Sequence, residues 1–290
     1  MTGPEKLREL LAKPEIAVIP GGGSPLEVRM IEQQGFAAAF VSGYATAAFR
    51  YAVPDIGLIA FGEIEEVVRA TRAVTDLPLL VDCDTGYGDV ANVARTVRGM
   101  ERLGVAAIQI EDQTWPKKCG HMDGKFVEPT DVAERKIAAA VAARQQGTFI
   151  IARTDSRGPN GLDDALMRCR RFRNAGADIM FIDGPQSAEE LAIIGAELKG
   201  PVMANMSETG KTPLRSAAEL QALGFKIALF PSSLVRVAVK AFGEFLAQLR
   251  RTGDSRPWLD RMSSLAETNA LLGLDEVKAF DAALLRKAAE

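Results

Sequence analysis

Eight short apolar runs recur along the chain, at 16–20, 37–43, 78–84, 105–112, 149–155, 179–184, 201–207 and 226–232. None alternates strictly between apolar and polar residues, as a half-exposed strand would. Continuous apolar runs are what strands covered on both faces look like. Between them lie helical patterns at 4–13, 25–35, 61–74, 89–103, 130–145, 162–174, 187–198 and 214–223. The segment 61–74 is representative, with apolar residues at Ile64, Val67, Val68 and Val74 on one face. A long helix is predicted at 234–251 and a polar, helical stretch at 256–288. Eight strands with intervening helices predict an α/β fold, a (β/α)8 TIM-type barrel, with a doubly wound sheet as the alternative. No internal boundary is visible. The expected organisation is one barrel domain over 1–290, of which 252–290 is a C-terminal helical extension.

The length of 290 residues suits such a barrel as one domain. Composition narrows the partners. The net charge is −3 with acids and bases interspersed, so no basic stripe points to nucleic acid. No apolar run reaches the roughly 20 residues of a membrane span, and the first residues show no signal-peptide pattern. Three widely spaced cysteines, Cys83, Cys119 and Cys169, argue against a disulfide framework and for a reducing, cytoplasmic setting. Metal-binding CxxC and HxxxH spacings are absent, so zinc is not expected. The only histidine is His121. Catalysis must therefore run on carboxylates, cationic side chains and a thiol, or use that one imidazole.

Residues at the C-terminal ends of barrel strands meet at one mouth. Here seven of the eight predicted strands end in polar groups: Ser42, Asp82 and Asp84, Glu111 and Asp112, Arg153 and Asp155, Asp183, Asn205 and Ser207, Ser232. Burying one unpaired polar group costs about 1–3 kcal/mol, so a set this large predicts a ligand site. Asp82 and Asp84 share a face of their strand by i, i+2 spacing, with Glu111 from the neighbouring strand. Three close carboxylates repel unless a cation sits among them, and oxygen donors without histidine suit Mg²⁺, with Mn²⁺ a substitute. Arg153 is the natural partner of a substrate carboxylate, through a bidentate fork. Between Glu111 and Lys125 the sequence EDQTWPKKCGHMDGK reads as a mobile cationic lid carrying a thiol.

Those motifs carry a resemblance. VDCDTGYGDVANVARTV, AAIQIEDQTWPKKCGHMDGK and IARTDSR resemble the isocitrate lyase and phosphoenolpyruvate mutase superfamily. KKCGH is similar to its carbon–carbon lyase branch, which includes the 2-methylisocitrate and 2,3-dimethylmalate lyases and the carnation petal death protein. The resemblance implies a homotetramer in which a C-terminal helix exchanges between subunits, and a small 2-hydroxy di- or tricarboxylate as substrate. It implies Mg²⁺ held by Asp82, Asp84 and Glu111, with Asp55 in the water shell. Ser42, Gly43 and Tyr44 would bind the 2-oxo acid half, together with Arg153. Asn205, Ser207 and Arg236 would hold the other half, while residues Lys117, Cys119, Gly120 and His121 close over both. The implied reaction is Mg²⁺-dependent cleavage of a substituted malate into a 2-oxo acid such as pyruvate and a carboxylic acid. Cys119 would protonate the carbanion, with its pKa lowered by Lys117, Lys118 and His121. Tyr44, Asp55 and a metal-bound water remain as candidates for the base. Cleavage of oxaloacetate and phosphonate chemistry are the alternatives on this scaffold. The chain departs from the family at Asp183, where glutamate is usual, at the first turn GGGSPL, at Cys83, and at Arg50, an added cation expected near the pocket.

Overall fold

The structure is a computed structural model describing residues 1–289, with side chains through residue 285. In chain order, α1 (Gly3–Ala12) leads to β1 (Ala17–Gly22), α2 (Pro25–Gln33), β2 (Ala39–Val41) and a short α3 (Gly43–Thr46). A π-helical turn over Ala47–Tyr51 follows, then α4 (Phe61–Arg72), β3 (Leu79–Asp82), α5 (Val90–Arg102), β4 (Ala107–Glu111) and α6 (Thr130–Ala143). Next come β5 (Phe149–Thr154), α7 (Arg157–Asn160), α8 (Leu162–Asn174), β6 (Ile179–Ile182), α9 (Ala188–Glu197), β7 (Val202–Asn205), α10 (Ala217–Ala222) and β8 (Ile227–Phe230). The chain ends with α11 (Ser233–Thr252), a 3₁₀ turn (Arg256–Arg261), α12 (Leu265–Leu271) and α13 (Leu274–Ala289). All eight strands pair in parallel with their sequence neighbours, and β1 pairs with β8 to close the barrel. The predicted (β/α)8 architecture is the observed one. Helix starts follow local chemistry: Ser24 caps α2 ahead of Pro25, and Ser216 and Glu219 form a reciprocal capping box on α10.

Strand alternation explains the core and the mouth together. The inward face carries Ala17 and Ile19, Phe40, Leu80, Ala107, Ile151, Ile179 and Phe181, Met203, and Ile227 and Leu229. These fill the barrel, and Leu7 of α1 joins them. Burying a phenylalanine such as Phe40 or Phe181 stabilises by about 1.5–3 kcal/mol. One inward step further along β3, β5, β6 and β7 the residue becomes polar: Asp82 follows Leu80, Arg153 follows Ile151, Asp183 follows Phe181, and Asn205 follows Met203. The outward residues, among them Val41, Val81, Ile108, Ile150 and Met180, belong to a second core with the helices. A plug of apolar side chains thus floors a polar mouth.

By their internal contacts the residues form two compact units, Met1–Val235 and Arg236–Glu290, so the division falls inside α11. In the second unit, Phe245 meets Trp258 edge to face at 5.6 Å, and the Arg261 guanidinium lies over the Trp258 ring. Val237, Val239, Phe242, Leu246, Val277 and Phe280 are exposed there. No helix among the described residues is long and apolar enough to cross a membrane.

Candidate active site

Asp82 and Asp84 arrive by different backbone routes. Asp82 is the last residue of β3, and its Oδ1 accepts from Gln109 Nε2 at 3.0 Å. Gln109 lies on β4 two residues before Glu111, hence on the same inward face. Asp84 follows in a left-handed conformation, φ +47°, uncommon for a residue with a Cβ and of a kind that clusters at functional sites. A Cβ on Gly43 would stand 3.1 Å from Asp82 Oδ2 and 3.4 Å from Asp84 Oδ1, so the β2–α3 turn presses against both acids. Gly43 donates its backbone N–H to Asp82 Oδ2 at 3.3 Å. Ser42 caps α3 by accepting from the Ala45 N–H, and the neighbouring Tyr44 is exposed.

Lys117 is buried among these acids, its Nζ 2.5 Å from Asp55 Oδ1 and 2.7 Å from Asp84 Oδ1. Burial works against its charge, but Asp84, Asp55, Glu111 and Asp82 together hold its pKa well above the ordinary lysine range. Burial likewise pushes the Asp84 carboxyl up to about 7, against the pull of Lys117. Glu111 is raised well above the usual carboxylate range, again chiefly by burial. Asp84 Oδ2 and Glu111 Oε1 are buried without a hydrogen-bond partner, and Asp84 Oδ1 has the Lys117 ammonium beside it only as an ion-pair contact. Among the described residues no three carboxylate, imidazole or thiol groups already form a closed metal-holding cluster. The donor set nonetheless fits a hard divalent ion: unsatisfied carboxylate oxygens are the ligands Mg²⁺ takes, and it usually retains waters that fill wide gaps.

Arg153 ends up among acids. It gives Nε to Asp155 Oδ2 at 2.8 Å and Nη2 to Asp155 Oδ1 and Asp183 Oδ2 at 3.0 and 3.1 Å, with Glu111 Oε2 3.2 Å from Nε. Burial opposes its charge, yet Asp155, Asp183 and Glu111 hold its pKa well above the usual value. Asp155 is in turn anchored by Lys125 Nζ at 2.7 Å and by its own N–H on Asp112 Oδ1 at 2.8 Å. Asp112 also accepts from Thr154 Oγ1 at 2.6 Å and pairs with Arg168 at 3.1 Å. The shorter Asp183 joins this network through Arg153 and accepts from Asn205 Nδ2 at 2.9 Å.

The lid residues lie directly on that floor. A Cβ on Gly120 would fall 1.6 Å from Asp183 Oδ2 and 2.3 Å from Arg153 Nη2, so only glycine permits this approach. Lys125 Nζ also binds the Gly120 carbonyl. His121 Nε2 lies 3.1 Å from Asn205 Nδ2, and Ser207 Oγ is 3.4 Å from Ser232 Oγ. Cys119 gives its N–H to the Asp55 carbonyl at 3.0 Å.

Two expectations about charge are corrected. The Cys119 thiol is not lowered; burial, and then Asp55, push it up to about 11. The lysines do not offset this, because Lys117 is bound to Asp55 and Asp84 and Lys118 Nζ points to the Gly124 carbonyl at 2.9 Å. Arg50 does not serve the pocket either; it forms an exposed ion pair with Glu66. Arg236 is half-buried in the first turn of α11 and belongs to the second compact unit. Gln109, Lys125 and Arg168 were not singled out as site residues, whereas Asp112 was expected at the mouth with the other strand-end polar groups. For Gln109 the signal was present: a polar residue two before Glu111 in an otherwise apolar strand.

Residues 7–250 match the phosphoenolpyruvate phosphomutase family. The chain is 43% identical over 276 residues to a probable 2-methylisocitrate lyase 2 of Corynebacterium glutamicum, covering 95% of this chain and 90% of that one. It is 39% identical to the 2,3-dimethylmalate lyase of Eubacterium barkeri over 274 residues, 94% and 95% of the two chains. A crystal structure of 2,3-dimethylmalate lyase superposes with a TM-score of 0.92 at 36% identity, covering 98% and 96%. One of phosphonopyruvate hydrolase in complex with oxalate and Mg²⁺ gives 0.88 at 30%, covering 97% and 99%. Barrel, site and sequence agree: the chain belongs to the phosphoenolpyruvate phosphomutase family, within the phosphoenolpyruvate mutase and isocitrate lyase superfamily.

Proposed function

We propose that the protein is a Mg²⁺-dependent carbon–carbon lyase that cleaves a substituted malate, of 2-methylisocitrate or 2,3-dimethylmalate type, into a 2-oxo acid such as pyruvate and a carboxylic acid. The observation that carries the reading is the half-buried thiol of Cys119, raised above its ordinary pKa, on a segment seated against Arg153 and Asp183 at the mouth of an acid-lined barrel. The similarity to named lyases supports the same reaction class.

Asp82, Asp84 and Glu111 would hold the metal, with Asp55 reaching it through water; Mn²⁺ suits the same oxygen donors. When bound, the ion supplies Lewis-acid stabilisation of negative oxygen on the substrate. The chain's own groups do the rest. Ser42, Gly43 and Tyr44 line the 2-oxo acid half, and Arg153 offers guanidinium charge there while its position is fixed by Asp155 and Asp183. Asn205 and Ser207 are assigned to the other carboxylate. Tyr44 or Asp55 takes the proton of the 2-hydroxyl as C2–C3 breaks, and the bonding pair stays on C3. Cys119 then gives its thiol proton to C3. A thiol raised to about 11 is protonated at neutral pH, the state an acid must start from. Lys117 keeps Asp55 and Asp84 compensated, and Gly120 and His121 shut the site from water. The exposed apolar residues of the second unit support assembly into a homotetramer with exchanged C-terminal helices. Three free cysteines suit a cytoplasmic setting.

The test is 2-oxo acid release, with Mg²⁺ and with chelator, from 2-methylisocitrate, 2,3-dimethylmalate, 2-alkylmalates, isocitrate and oxaloacetate. Metal-dependent release from a substituted malate is expected. Turnover of oxaloacetate alone would transfer the same site to oxaloacetate cleavage, and silence on every compound would overturn the reading.

A further inference from the structure

The loop between β7 and α10 meets the lid at the chain's only histidine. The backbone N–H of Lys211 lies 3.1 Å from His121 Nδ1, and Lys211 Nζ pairs with Asp123 on the lid. A Cβ on Gly210 would stand 2.6 Å from Nδ1 and 2.8 Å from Cε1, so the ring rests on bare backbone. Gly210 is itself held by its N–H on the Ser207 carbonyl at 3.1 Å.

A backbone N–H only donates, so the nitrogen it addresses must carry the lone pair. A neutral imidazole has one such nitrogen, and the ring proton then belongs to Nε2. At Nε2 the neighbour is Asn205 Nδ2, 3.1 Å away, which already donates to Asp183 Oδ1. Asp183 Oδ1 is 4.0 Å from Nε2, too far for a hydrogen bond. The opposite tautomer would let Asn205 donate to Nε2 but would set an Nδ1–H against the Lys211 N–H. Both neighbours are donors and one must go unanswered. The Lys211 amide is part of a braced loop, whereas Asn205 Nδ2 already has an acceptor in Asp183.

We propose that Gly210 and Lys211 are positioning residues that hold His121 as the Nε2–H tautomer. His121 Nε2 and Asn205 Nδ2 then form two adjacent donors, and an anionic oxygen of a bound ligand is the acceptor they share. That this oxygen is a substrate carboxylate rests on the lyase reading; the tautomer does not.

A single histidine makes the tautomer directly readable. Protein labelled with ¹⁵N in histidine gives one ring in long-range ¹H–¹⁵N correlation spectra, recorded at pH ~8, above the ordinary histidine range. The expected spectrum has a protonated Nε2 and an unprotonated Nδ1. Gly210→Ala, which pushes a methyl into the ring, and Lys211→Pro, which removes the N–H, should each move the tautomer ratio toward Nδ1–H by about fivefold, the worth of one hydrogen bond. Lys211→Ala keeps the N–H and should leave the ratio unchanged. If Lys211→Pro does not fold, Gly210→Ala decides. A wild-type ring protonated on Nδ1, on both nitrogens, or a ratio unmoved in Gly210→Ala would overturn the proposal. Because the readout needs no turnover, an Nε2–H ring in a protein inactive on every malate supports the tautomer while refuting the lyase.

Discussion

Cys119 offers a direct contest between charge counted along the sequence and charge placed in space. Two lysines and a histidine within two residues suggest a thiolate-favouring site, yet the thiol is moved from 9.0 to about 11. Burial is the largest cause, Asp55 and Asp183 add to it, and a hydrogen bond donated by the His121 backbone N–H and the charge of Arg153 only partly compensate. The size of the effect follows directly. At pH ~8 an ordinary thiol is about one-tenth thiolate and a thiol at 11 about one-thousandth, so alkylation through the thiolate should be about a hundredfold slower. The assay is carbamidomethylation of the metal-free protein by iodoacetamide, followed by peptide mass across pH 7 to 10. Cys83 and Cys169 are fully buried and serve as internal blanks. The Cys119 rate should climb with pH throughout this range and not level off. Lys118→Met should leave the profile in place, since that ammonium is turned to the Gly124 carbonyl. A plateau or inflection near neutral pH would refute the reasoning and restore the cation-activated thiol.

Three further outcomes are expected. Cys119→Ser should keep Mg²⁺ and product affinity while lowering turnover by about 10²–10⁴-fold, the range for loss of a positioned proton donor; steady-state rates close to wild type would remove the thiol from the reaction. Arg168→Met should cost about 3–5 kcal/mol in urea unfolding, because it leaves Asp112 buried without its cation; a loss below about 1 kcal/mol would mean that Thr154 and the Asp155 N–H suffice. Glu27→Gln tests a pH effect. Burial raises the Glu27 pKa against its hydrogen bonds from Gly23 and Ser24, so the folded chain holds this proton after the unfolded chain has released it. That contribution is complete below the unfolded value of about 4.5 and is lost as pH rises through the folded one. The melting temperature of Glu27→Gln should therefore fall less than that of wild type between pH ~4.5 and ~7, and parallel curves would contradict it.

The strands were legible because their chemistry is local. A continuous apolar run bounded by turns identifies a buried strand wherever it lies, and i, i+2 spacing identifies its inward face. That is why Asp82, Glu111, Arg153, Asp183 and Asn205 are readable as mouth residues from sequence. The same rule, applied one residue pair earlier on β4, reaches Gln109 and its bond to Asp82. The short α3 and the π-helical turn over Ala47–Tyr51 leave no signal in the pattern of apolar positions, since four or five residues carry no usable period. Asp112 and Arg168, 56 residues apart, meet only when α8 docks beside β5 and β6, and no spacing announces that.

What stayed hidden was direction. Lys117 and Lys118 are adjacent and chemically identical, yet one is 3% exposed between Asp55 and Asp84 and the other turns to the Gly124 carbonyl. Arg50 follows the Ser42–Tyr44 turn by a few residues and still spends its charge on Glu66 in solvent. In sequence these cations add up to a positive lid over a thiol. In the fold each is already answered by an oxygen, and what the thiol feels is burial and the acids beneath it. The net effect reverses sign, and it does so in favour of the proposed chemistry. A lyase that must hand a proton to carbon needs a thiol that still has one at neutral pH, and the acids that would bind the metal are among the groups that keep Lys117 from taking that proton away.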